Sequence, residues 1–120
     1  MRHHVVLVED DALVRTLMAR RMEMADWRVT ALRDGRGLEA IIASDPPSLL
    51  VVDLGLPYID GLALVETLRA SGIDIPVLVT SAFELPHLYH TVTRSGANDL
   101  LQKPFDQDDM IDRMRRLMAA

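Results

Sequence analysis

The stretch Val51-Val52-Asp53-Leu54-Gly55-Leu56-Pro57-Tyr58-Ile59-Asp60-Gly61 decides the fold. An apolar strand, Leu49 to Val52, runs out into a loop containing Gly and Pro, and an aspartate stands at the junction. The strand holds that carboxylate rigidly while the sheet edge exposes it, which is where an open α/β sheet keeps its reactive groups. Glu9, Asp10, Ser81 and Lys103 likewise each follow an apolar run of their own.

On either side of Asp53, short apolar runs alternate with longer stretches of helical period, the pattern of βαβ units and a parallel sheet. Strands are predicted over His4–Val8, Arg28–Leu32, Ser48–Val52, Pro76–Thr80 and Asp99–Leu101. Within the first, third and fourth, the runs Val5–Val8, Leu49–Val52 and Val77–Val79 are continuously apolar, as strands covered on both faces are. The second and fifth are weaker, as edge strands would be. Helices are predicted over 11–24, 36–43, 61–70, 86–95 and 106–118, which gives (βα)5 in a single sheet. In the first helix, Leu13, Val14, Leu17 and Met18 read as the buried face, opposite Arg15 and the Arg20/Arg21 pair. Pro86 suits the first turn of the fourth helix. The Met-rich spacing of the last helix, Met110, Met114 and Met118, reads as core packing.

With 120 residues the chain has room for one domain with one core, and 49% hydrophobic residues make that core feasible. The net charge of −5 and pI near 5.2 argue against direct nucleic-acid binding, which favours a basic face. The absence of cysteine excludes a disulfide scaffold or thiolate metal site. No apolar run approaches the roughly 20 residues of a membrane span, and no signal-peptide pattern opens the chain, so the expectation is a soluble cytoplasmic protein without membrane contact. His3 and His4 are read as polar residues leading into the first strand rather than as metal ligands or a tag remnant.

In a doubly wound parallel sheet all strands point their C-terminal ends to one rim, where ligands bind. That rim receives Glu9-Asp10-Asp11, Asp53, Thr80-Ser81-Ala82 and Gln102-Lys103-Pro104. The set suits phosphoryl transfer onto a carboxylate. Clustered carboxylates repel and raise one another's pKa, and an all-oxygen donor set suits Mg²⁺. A lysine neutralises phosphoryl oxygens as a point charge, a hydroxyl donates to another, and aspartate is an established covalent acceptor.

Four motifs make the chain resemble the receiver domain of a two-component response regulator over essentially all of residues 1–120. They are Leu7-Val8-Glu9-Asp10-Asp11, Asp53-Leu54-Gly55-Leu56-Pro57 with Asp60-Gly61, Ser81-Ala82, and Gly96-Ala97-Asn98-Asp99 leading to Lys103-Pro104-Phe105. The resemblance implies a flavodoxin-like α/β sandwich with strand order 2-1-3-4-5. It implies that Asp53 is the phospho-acceptor and that Asp10 ligates Mg²⁺, with Glu9 acting directly or through water. The Gly55 carbonyl completes the protein ligands, Ser81 contacts the phosphoryl group and Lys103 pairs with it. The Lys103–Pro104 bond is expected to be cis. Ser81 is preferred over Thr80 because it precedes Ala82 and because its distance to Lys103 fits the family. Strand alternation would then point Thr80 the other way. The implied function is a switch that takes a phosphoryl group from a histidine kinase or histidine phosphotransfer protein and acts on a downstream target or output domain. It is not a turnover enzyme. Dimerisation through the fourth and fifth helices is left open.

The sequence departs from the family at Leu100, where receivers usually carry Tyr or Phe. That position reads either as drift at a half-buried apolar site or as altered coupling to the output face. Gly55 and Phe83, two residues after Asp53 and Ser81, lie where side chains can shield an acyl phosphate from water. His87, Tyr89 and His90 read as an exposed face of the fourth helix. A hydrolase of the haloacid-dehalogenase type would put its nucleophile in an Asp-x-Asp after the first strand, where this chain has Glu9-Asp10-Asp11. Those acids would also repel the phosphate of a flavodoxin-like nucleotide binder, which wants a Gly- or Ser/Thr-rich loop there.

Overall fold

The computed structural model describes residues 2–119. Five strands, β1 (His4–Val8), β2 (Arg28–Leu32), β3 (Leu49–Asp53), β4 (Val77–Ser81) and β5 (Asp99–Gln102), form one parallel sheet in the order β2-β1-β3-β4-β5. Five helices connect and follow them: α1 (Ala12–Met24), α2 (Leu38–Ser44), α3 (Gly61–Ala70), α4 (Leu88–Arg94) and α5 (Gln107–Ala119). All five residues of β1, β3 and β4 are buried, whereas β2 and β5 are partly exposed at the edges.

Side-chain alternation splits the core into two layers. Val5, Leu7, Leu49, Val51, Leu78 and Leu101 face Met18 and Met22 of α1 and Met110, Ile111 and Met114 of α5. Val6, Val8, Leu50, Val52, Val77 and Val79 face Leu38 of α2, Leu64, Val65 and Leu68 of α3, and Leu88 and Val92 of α4. Met110 and Met114 of α5 are core, as their spacing predicts, and Met118 packs half-buried against their layer. His4 opens β1, is buried and pairs its Nε2 with Thr30 Oγ1 at 2.8 Å. The single tryptophan, Trp27, is buried just before β2, with the His3 ring 5.5 Å away.

Several local expectations are corrected. Leu13 and Leu17 are 68% and 50% exposed, and the α1 positions that reach the core are Val14, Met18 and Met22. These three are spaced by four residues and therefore share a face. Helix α2 starts at Leu38 because Gly37 has φ +82°, and α4 starts at Leu88 because His87 has φ +60°, so Pro86 precedes the helix. Strands β3, β4 and β5 each end one residue later than predicted, taking in Asp53, Ser81 and Gln102. The ladder accepts polar residues at its end because backbone bonds, here Leu54 N to Thr80 O at 2.8 Å, hold the register regardless of side chain.

Candidate functional site at the C-terminal rim

Alternation also builds the site. Glu9, Asp53, Thr80 and Lys103 stand two residues beyond Leu7, Val51, Leu78 and Leu101, so all four project on the side of the sheet covered by α1 and α5. Asp53 pairs in register with Thr80 across β3 and β4. The expectation that Thr80 points away from Asp53 is therefore overturned: its hydroxyl lies 3.4 Å from Asp53 Oδ1. Ser81 carries the opposite parity. Its Oγ accepts the Phe83 N–H at 2.9 Å, and its carbonyl accepts the Lys103 N–H at 2.7 Å.

Carboxylate oxygens of Glu9, Asp10 and Asp53 lie within 4.8 Å of one another. Glu9 is 1% exposed and Asp53 7% exposed, so the Asp53 carboxylate is sunk below the rim rather than exposed on it. Asp10 is exposed. The Lys103 ammonium reaches Glu9 Oε1 at 2.6 Å and Asp53 Oδ1 at 3.2 Å. The other Glu9 oxygen accepts the Asp11 N–H at 3.0 Å. The Lys103 ammonium thus bridges Glu9 and Asp53, two of the three clustered carboxylates. Burial pushes the Glu9 carboxyl above its usual value. The hydrogen bonds from Lys103 and Asp11 pull it down without offsetting burial, and the Asp53 charge adds to the rise. Burial acts downward on Lys103, but the hydrogen bond to Glu9 and the charges of Asp53 and Glu9 outweigh it, so the ammonium is held above its ordinary value.

The loop after β3 is fixed by its own residues. Asp60 caps α3 by accepting the Ala63 N–H at 2.8 Å. A Cβ on Gly61 would collide with the Asp53 carbonyl oxygen, so only glycine lets α3 begin against the strand that carries Asp53. Gly55 is open: a Cβ there would lie 3.7 Å from Asp53 Oδ2 and 3.8 Å from Phe83 Cε2. The Lys103–Pro104 bond is cis, as expected.

Two residues that position the rim have little sequence signal. Arg15 donates to the carbonyls of Glu9 at 2.8 Å and Asp10 at 3.4 Å, clamping the acidic loop from the first turns of α1. Gln102 donates to the carbonyls of Ser81 at 3.1 Å and Phe83 at 2.6 Å, tying the loop after β4 to β5. Leu100 is half-buried and packs against the core layer beneath α3 and α4. His87, Tyr89 and His90 are exposed, as read from the sequence.

The acidic cluster is chemically suited to a hard divalent cation. All its donors are oxygens, and its negative charge exceeds what Lys103 supplies. Residues 5–115 match the response regulator receiver domain, and the chain belongs to that family. It is 35% identical over 114 residues to the response regulator MprA of Mycolicibacterium vanbaalenii, covering 95% of this chain and 49% of that protein. It is 38% identical to the virulence transcriptional regulatory protein PhoP of Salmonella choleraesuis, covering 95% of this chain and 51% of that protein. The chain thus spans about half the length of the curated relatives it matches. Among solved structures, a Francisella response regulator receiver domain superposes with TM-score 0.93 at 28% identity over 98% of both chains. A response regulator from Chloroflexus aurantiacus superposes with TM-score 0.92 at 26% identity over the whole of both. The flavodoxin-like order expected from the sequence is the one observed. No helix among the described residues is long and apolar enough to cross a membrane.

Proposed function

We propose that this receiver domain is a phosphorylation-driven switch in which Asp53 takes a phosphoryl group from the phosphohistidine of a sensor histidine kinase or a histidine phosphotransfer protein. A carboxylate oxygen of Asp53 forms the new P–O bond. The donor's P–N bond breaks, its electron pair returns to the imidazole, and the imidazole takes a proton from solvent. The observation that carries the reading is the cluster of three carboxylates, two of them bridged by a single ammonium, with Lys103 Nζ 2.6 Å from Glu9 and 3.2 Å from Asp53.

Glu9, Asp10, Asp53 and the Gly55 carbonyl would hold Mg²⁺. When bound, that ion supplies the positive charge that lets a phosphoryl donor approach the acids. Lys103 is already beside Asp53 and neutralises a phosphoryl oxygen as it arrives. Ser81 accepts from Phe83 and so keeps its own proton to donate to another. Positioning and electrostatics of this kind are most of what phosphoryl transfer requires of a protein. The phosphorylated domain then changes its binding of a downstream target or output domain in the cytoplasm. The open side at Gly55 and the ring of Phe83 set how fast water removes the group.

Incubation with Mg²⁺ and acetyl phosphate, read by intact mass, tests this. One added phosphate is expected on the natural sequence and none on Asp53→Asn. No adduct at any Mg²⁺ concentration would overturn the switch and leave a receiver fold that only binds partners.

A further inference from the structure

Thr80 has a hydroxyl where the three preceding residues of β4 are apolar. The run Val77-Leu78-Val79 precedes it, and a valine at 80 would fill nearly the same volume with equal preference for a strand. The residue is 1% exposed, and the acceptor its hydroxyl reaches is Asp53 Oδ1 at 3.4 Å. A buried hydroxyl aimed at a carboxylate, and paired with it in register, is a polar group with a specific partner. Lys103 Nζ approaches the same oxygen at 3.2 Å. The other oxygen, Oδ2, faces the space left by the missing side chain of Gly55. Ser81 projects on the opposite parity and is engaged with Phe83.

We propose that Thr80 is a positioning residue for the acceptor: with Lys103 it holds Oδ1 of Asp53 and leaves Oδ2, on the Gly55 side, as the oxygen to which phosphorus bonds. The two adjacent hydroxyls then divide the work. Thr80 orients the nucleophile before transfer, and Ser81 meets the phosphoryl group that arrives. The 3.4 Å separation is long for an O–H···O bond, whose usual range is about 2.5–3.0 Å. Hydrogen bonds of this kind tighten when the reacting partner binds. In the step itself the new bond is P–Oδ2. The bond broken is that from phosphorus to the donor's leaving group, which departs with the electron pair: imidazole from phosphohistidine or acetate from acetyl phosphate. The inference rests on Asp53 being the phospho-acceptor.

The test follows phosphate incorporation from acetyl phosphate by intact mass, with the donor varied at fixed Mg²⁺, for the natural sequence, Thr80→Val and Thr80→Ser. Mg²⁺ affinity is measured separately without donor, by calorimetry. Thr80→Val is expected to lower the maximal rate about 3- to 10-fold, the range of one ordinary hydrogen bond, since the 3.4 Å contact is a long one. The half-saturating donor concentration should stay within about twofold, because the hydroxyl touches Asp53 and not the donor, and Mg²⁺ affinity should stay within about twofold, because the Asp53 carboxylate and the other ligands all remain in place. Thr80→Ser should recover most of the lost rate. If Thr80→Val does not fold, Thr80→Ala against Thr80→Ser carries the same contrast. An unchanged rate in Thr80→Val overturns the inference. So does a serine variant as slow as valine, since the loss would then follow side-chain shape, or a slow rate explained by weaker Mg²⁺ binding. If the natural sequence takes no phosphate, the acceptor reading fails first. If it does and Thr80→Val matches it, this inference fails alone.

Discussion

The two rims of the sheet use the same kinds of group and leave them in opposite states. At the N-terminal rim, Arg69 at the end of α3 donates to the carbonyls of Gly96, Ile73 and Ile75 and to Asn98 Oδ1, all at 2.8–3.1 Å. Asn98 Oδ1 also accepts the Val77 N–H that opens β4. Nearby, Arg28 forms a two-pronged pair with Asp45 at 2.8 and 3.0 Å. Each of these guanidinium groups has found acceptors, and each element start is stitched to its neighbour. At the C-terminal rim, the Lys103 ammonium pairs with two of three clustered carboxylates, Glu9 and Asp53, and the buried Glu9 is pushed toward protonation. A rim built for stability closes its charges locally. The rim built for chemistry keeps an excess that a cation and a phosphoryl group can answer.

Substitutions at each rim can break this contrast. The largest effect belongs to Asp53→Asn, which should abolish phosphate incorporation while leaving the metal-free protein as stable as the natural sequence or more so, since one of three crowded charges is gone. A marked loss of stability by thermal melting would mean that Asp53 holds the fold together as well. Arg69→Ala is the converse. It strips the partner from three carbonyls and Asn98, and should cost about 2–4 kcal/mol in chemical denaturation. The phosphorylation rate of the folded fraction should stay near normal. Next, Mg²⁺ should raise the melting temperature by mass action on the native state, and Asp10→Asn should remove most of that rise. An undiminished shift in Asp10→Asn would put the cation elsewhere.

The smallest effect is expected at Arg28–Asp45. The hydrogen bond from Arg28 holds the Asp45 carboxyl below its ordinary value of 3.8, while its modest burial acts the other way. A depressed folded-state pKa stabilises above the unfolded value and stops doing so as pH falls through the folded one. Asp45→Asn should therefore melt slightly below the natural sequence at neutral pH, with the gap closing only in acid below the ordinary aspartate range. Exposed pairs contribute little, so a gap as large as that of Arg69→Ala would show that the rim acts as one network.

The sheet was legible because β1, β3 and β4 are buried on both faces, and such strands cannot avoid writing Val5-Val6-Leu7-Val8, Leu49 to Val52 and Val77 to Val79 in apolar residues. The acids and Ser81 were legible because each stands within two residues of the end of one of those runs, and Lys103 because it stands two residues beyond Leu101, just past the end of the edge strand β5. What escaped depends on which way a side chain turns. Leu13 and Leu17 are as apolar as Met18 and Met22 yet face outward, since helix rotation is set by packing that composition does not encode. Alternation counted from Ser81 turns Thr80 away from Asp53, whereas counting by two from Leu78 and Val51 puts Thr80 and Asp53 together. Arg69 and Arg15 bind backbone carbonyls, and a carbonyl acceptor leaves no mark on the sequence.

Trp27, the single tryptophan, is buried at the N-terminal rim beside His3, at the opposite end of the strands from Asp53. Its emission is expected to report whether the sheet is intact and to respond little to what happens among the acids. Unfolding and phosphorylation therefore have separate optical and mass signatures, and both can be followed in one sample without cross-talk.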